Sequence, residues 1–79
     1  MIGQDLKIIG SECQRLRRIL NKKQKDIGNE LGYATVTISQ FERGNNNNLY
    51  IFSWYLRHGL DTHRLNCKLR GYLYGEKAE

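Results

Sequence analysis

The chain has 79 residues, of which 39% are hydrophobic, with no proline and a formal net charge of +5. That length makes one small domain around a single core, and no apolar run approaches the roughly 20 residues needed to span a bilayer. The N-terminus lacks the basic-then-apolar layout of a signal peptide, so the protein is expected in the cytoplasm.

The first helix is predicted from Gln4 or Asp5 to Leu20. Leu6, Ile9, Cys13, Leu16 and Leu20 recur at alternating spacings of three and four, which places them on one continuous stripe. Cys13 lies inside that stripe and reads as a packing residue. Arg15, Arg17, Arg18, Lys22 and Lys23 crowd the C-terminal end. Cations there suit the helix dipole as well as any ligand. The charge is uneven along the chain. Residues 1–25 hold seven Lys/Arg against Asp5 and Glu12, a local +5, whereas residues 26–56 hold Asp26, Glu30 and Glu42 against Arg43 alone, a local −2. A basic element beside a nearly neutral one fits a protein that grips phosphates with one part and reads bases with another.

The stretch Gln24 to Gly44, QKDIGNELGYATVTISQFERG, reads as two short helices joined by a tight turn. Ile27 and Leu31 share one face of the first, and Gly32 follows where a helix ends in the left-handed conformation. The pattern resumes at Thr35, with Ile38 and Phe41 inward and Gly44 as the stop. Helices this short are not stable alone and must pack at an angle on a third. A helix–turn–helix is the natural reading.

The spacing QxxxGxxxG from Gln24, then Thr37-Ile38-Ser39, then Glu42-Arg43-Gly44, resembles the helix–turn–helix of phage Cro and C1 repressors and the Xre-like regulators. Ile9-Gly10 and Leu16-Arg17 are similar to the first helix of that family. The resemblance covers roughly residues 9 to 60. It implies an all-α, five-helix, lambda-repressor-like DNA-binding domain occupying the whole chain, bacterial or phage-encoded. It also implies that the Gln24 amide meets a DNA phosphate at a helix N-terminus. Gly28 stands where the family has alanine, with the third helix expected to cross closely there. The resemblance pairs Arg17 with Glu42, tying the third helix to the first. Ala34 replaces the family's capping Ser or Thr, so the cap is expected to move to Thr35.

On the third helix, about Thr35 to Arg43, the inward positions leave Thr35, Val36, Ser39 and Gln40 outward as base-reading candidates. Gln can bond bidentately to adenine, while Val and Thr methyls suit the thymine methyl. Phosphate contacts are expected from Lys22, Lys23, Gln24, Thr37 and Arg43. Asn45 and Asn46, in the four-asparagine run after Gly44, either extend those contacts or form a simple flexible loop. Asn48 or Asn47 is expected to cap the fourth helix.

The fourth helix, about Leu49 to Arg57, carries Leu49, Tyr50, Ile51, Phe52, Trp54, Tyr55 and Leu56, apolar over most of its circumference. Such a surplus marks an interface, with Tyr50 and Trp54 as dimer candidates, unless the fifth helix covers it. Asp61 or Thr62 then caps a fifth helix through Leu65, Leu69 and Tyr72 or Leu73, with fraying expected from Gly71, Gly75 and the end Glu76 to Glu79. Cys13 and Cys67 are too few for a disulfide scaffold or a complete zinc site. With His58 and His63 they show neither CxxC nor HxxxH spacing, so no metal or other cofactor is expected and the histidines read as surface residues.

The leading reading is a sequence-specific regulator, a homodimer on a two-fold symmetric double-stranded DNA operator, acting by occupancy as a repressor or controller. A helix–turn–helix antitoxin, which also binds a toxin, is a variant of it. A helical protein-interaction module using the aromatics of the fourth helix is the second class. An enzyme is not expected, because no Ser/Cys–His–acid set, Gly-rich phosphate loop or metal spacing appears.

Overall fold

Among the described residues five helices follow one another: α1 (Ile2–Ile19), α2 (Gln24–Leu31), α3 (Thr35–Glu42), α4 (Leu49–Arg57) and α5 (Thr62–Tyr74). This is a computed structural model, which describes the backbone of residues 2–74 and the side chains of residues 4–71. Among the described residues there is no strand, and no helix is long and apolar enough to cross a membrane. The all-α expectation holds at this level.

The first four helices end in the same way. The amide of Lys22 reaches Arg17 O, Tyr33 reaches Gly28 O, Asn45 reaches Gln40 O, and Leu60 reaches Tyr55 O, at 2.8–3.1 Å. Each closure turns on a left-handed residue: Asn21, Gly32, Gly44 and Gly59, with φ between 59° and 96°. The doubled-back amides satisfy carbonyls that the helix leaves without partners. Asn21 therefore stops α1 one residue short of Leu20, which the apolar spacing had included. Leu20 lies in the turn, 36% exposed, and Ile19 is 63% exposed, so the inward stripe of α1 ends at Leu16.

Helix starts vary more. Asn48 caps α4, its Oδ1 accepting from the amides of Tyr50 (2.8 Å) and Ile51 (3.2 Å). Asp61 does the same for α5 through the Arg64 amide. Asp26 reaches back to the Lys23 amide at 2.8 Å, which satisfies one exposed donor of α2. At α3 the expected move of the cap to Thr35 does not occur. Thr35 is already helical, and the residue before it, Ala34, has no side-chain oxygen to offer.

The core consists of Cys13, Ile27, Ile38, Phe41, Ile51, Trp54, Tyr55, Leu60 and Leu65. Phe41 stacks on Tyr55 with ring centres 5.8 Å apart, and Trp54 meets Tyr55 edge-on at 5.2 Å, a favoured pairing of aromatic faces and edges. This corrects the expectation for Trp54. It is fully buried, with its indole N–H donating to Glu30 at 2.9 Å, so it is a core residue and not part of a dimer surface. Its neighbour His58 stacks on it at 3.8 Å and donates from Nδ1 to Trp54 O. Tyr50, 75% exposed, remains outside with Leu49 and Leu56. The fifth helix packs chiefly on α1 and leaves that outer side of α4 open.

Two glycines permit close backbone approach. A Cβ on Gly10 would lie 2.6 Å from Phe41 O, so α1 and α3 touch through their backbones. A Cβ on Gly28 would lie 2.6 Å from Tyr33 O. The crowding at Gly28 thus comes from the turn leading into α3 rather than from α3 itself. Gly71 lies within α5 and does not end it, while the expectations at Gly75 and Glu76 to Glu79 fall outside the described residues, as do the side chains of Tyr72 and Leu73.

Candidate nucleic-acid interface

Helix α3 buries Ile38, Phe41 and Glu42. At 100° per residue this turns Val36 and Gln40 outward. Val36 is 58% exposed; Thr35 and Gln40 are exposed, and Ser39 and Thr37 are half-buried at the edges. The outward residues carry no formal charge. They offer one amide, three hydroxyls and an aliphatic side chain. Exposed Lys22 and Lys23 stand in the turn before α2, and exposed Arg43 follows the last turn of α3.

Glu42 anchors α3 to the rest of the domain. Its carboxylate is buried, and Arg17 approaches it as a fork, Nε at 2.7 Å from one oxygen and Nη2 at 3.2 Å from the other. Gln24 donates its amide at 3.0 Å and Tyr55 its hydroxyl at 2.6 Å. Donors from α1, α2 and α4 thus converge on one side chain of α3. Arg17 also donates from Nη1 to Lys22 O at 2.9 Å, which ties down the turn between α1 and α2. Desolvation makes a lone carboxylate at such a site costly, and four charge-assisted bonds offset that cost. The pair expected between Arg17 and Glu42 is present.

Gln24 differs from its expected place. Its amide nitrogen points inward to Glu42 because the Arg17 fork leaves acceptor capacity on that carboxylate. Asn46 is half-buried, its Oδ1 accepting from the Asn48 amide at 2.8 Å, while Asn45 is exposed. The Asn46 oxygen therefore shapes the turn into α4.

Burial and the nearby carboxylates of Glu42 and Glu12 push the Cys13 thiol up to about 12, so it stays protonated at neutral pH. Burial, and then its hydrogen bond to Glu42, raise the Tyr55 phenol far above its ordinary range. Both groups therefore keep their protons through the neutral range. Among the described residues no three His, Cys, Asp or Glu side chains cluster as metal ligands.

A second buried carboxylate escapes the apolar-stripe reading. Glu12 is 3% exposed and binds Arg64 Nε at 2.8 Å and Lys68 Nζ at 3.0 Å, joining α1 to α5. Arg64 and Lys68 stand one turn apart on a single helix, but no local spacing places Glu12 opposite them. No family model matches this sequence, and neither a curated protein nor a solved structure matches it.

Proposed function

We propose that the protein is a sequence-specific regulator that binds duplex DNA, with α2 and α3 acting as a helix–turn–helix and α3 entering the major groove. The observation that carries this reading is the outer side of α3. It is uncharged and hydrogen-bonding, bracketed by exposed cations, and held by its opposite side to three other helices through Glu42. Phosphate contacts position such a helix and base-edge contacts specify it. Gln40 supplies the donor and acceptor that adenine requires, and Val36 the methyl contact that thymine rewards. Lys22, Lys23 and Arg43 supply the phosphate contacts.

Regulation is by occupancy of a two-fold symmetric operator as a homodimer. Leu49, Tyr50 and Leu56 on the open side of α4 form the self-association surface. The two copies of α3 are then about 34 Å apart, one turn of DNA. The same exposed residues favour one second reading, a protein-interaction module in which α4 engages a different protein, such as the toxin of an antitoxin pair.

The test is a binding matrix over all single base changes in a selected duplex, measured for the wild type, Gln40→Ala and Val36→Ala. Each substitution is expected to relax one operator position by about 1–3 kcal/mol or less, while the salt dependence stays the same. Three matrices of one shape would show that this helix does not read bases.

A further inference from the structure

The basic cluster at the end of α1 does not act as one group. Arg17 turns inward to Glu42, and Lys22 and Lys23 lie in the turn before α2. Arg15 and Arg18 instead border one of three shallow hollows that adjoin one another through Ser11, Glu12, Arg15 and Ile19, and that together make a groove from α1 toward α5 and the turn before it. Ile8, Leu16 and Leu60 line it, together with Ile19, which is 63% exposed. Lys7 and Lys68 continue the basic border at the other end. Among the described residues Lys7, Arg15 and Arg18 have no carboxylate partner, whereas Lys68 is held by Glu12.

We propose that this groove docks an acidic, amphipathic helical segment of another protein, aliphatic side chains against Ile8 and Ile19 and carboxylates toward Lys7, Arg15 and Arg18. Charge complementarity names the occupant's sign, and the apolar lining names its class. A phosphate backbone gains little from the exposed Ile19 and the half-buried Ile8. An acidic peptide can direct its own charges to one side and its aliphatic groups to the other. From Lys7 to Arg18 the border is about 17 Å long at roughly 1.5 Å per residue, three turns of a docked helix.

The position is as informative as the chemistry. Gly10 and Arg17 face α3. Ile8, Arg15 and Ile19 lie roughly 140–180° around α1 from them, and Lys7 and Arg18 roughly 60–100°. An occupant of the groove leaves the outer side of α3 free. The inference goes beyond the DNA-binding proposal and does not depend on it.

The experiment titrates the full-length, isotope-labelled protein with a synthetic helical peptide carrying leucine on one side and glutamate on the other. Saturable shifts are expected at Ile8, Arg15, Ile19, Leu60 and Lys68, with the amides of Val36 and Gln40 unmoved. Ile19→Ser should weaken binding about tenfold by removing apolar burial. Arg15→Ser and Arg18→Ser should each weaken it about two- to fivefold. Ile19, Arg15 and Arg18 are exposed, and either arm decides the matter if the other variant fails to fold. The proposal is overturned by no saturable binding at millimolar peptide, or by equal affinity for a peptide with serine in place of leucine. It is equally overturned if a DNA duplex moves the same α1 and α5 signals, or if they move with protein concentration alone.

Discussion

Replacing Arg17 with alanine tests how α3 is held. The substitution removes both donors of the fork from the buried Glu42 carboxylate, together with the bond to Lys22 O. Gln24 and Tyr55 remain, so the carboxylate keeps two neutral donors and loses its counter-charge. Breaking a buried pair on one side costs about 3–5 kcal/mol. The surviving donors, and an Arg17 side chain still 11% exposed, place the expected loss near the lower end, about 3 kcal/mol. At roughly 0.05–0.15 kcal/mol per residue, 79 residues carry a total of about 4–12 kcal/mol. The loss is therefore a large share of the whole. Thermal unfolding followed by circular dichroism should fall by about 10–20 °C. The same substitution in a Glu42→Gln background should cost about 1 kcal/mol, giving a coupling near 2 kcal/mol. A melt within about 2 °C of the wild type, or strictly additive single and double variants, would refute the anchoring role.

Three further outcomes are expected. Gly10→Ala should destabilise the domain by about 1–3 kcal/mol, read in urea melts, because its Cβ would press on the carbonyls of Phe41 and Glu42. Arg43→Ala or Lys22→Ala should weaken binding to every duplex alike and reduce the salt slope by about 1 per lost contact; a changed sequence preference would assign that residue to base reading instead. Alkaline pH should destabilise the fold. The Cys13 thiol ionises from its ordinary 9.0 in the unfolded chain and only near 12 in the native one. The unfolded state thus binds fewer protons across that window, and stability falls as pH rises, by up to about 1.4 kcal/mol per unit for this group. Tyr55, raised in the same sense, extends the loss above pH 10. Equilibrium unfolding of Cys13→Ala between pH 8 and 10.5 should show a shallower decline than the wild type, and a parallel decline would contradict the burial argument.

Much of the secondary structure is legible in local chemistry. The spacing of Ile27 and Leu31, and of Ile38 and Phe41, sets two short helices because burial needs one apolar side. Gly32 and Gly44 end them because a left-handed residue closes the last turn without a Cβ penalty. Asn48 caps α4 because its short side chain reaches the free amides of Tyr50 and Ile51. The outward set on α3 follows from the same periodicity.

Tertiary structure alone decided what lies between helices. Leu49, Tyr50, Trp54 and Leu56 look equivalent in a stretch that is apolar nearly all round, yet Trp54 is in the core and the other three are not. That choice depends on which side of α4 meets α1 and the rings of Phe41 and Tyr55, a matter of packing angle rather than composition. Gln24 likewise turns inward because a buried carboxylate with spare acceptor capacity lies beside it. Glu12, polar within an apolar neighbourhood, is tolerated only because Arg64 and Lys68 arrive from 52 and 56 residues further along the chain. Periodicity reports which side of a helix avoids water; it carries no information about the partner that side will meet.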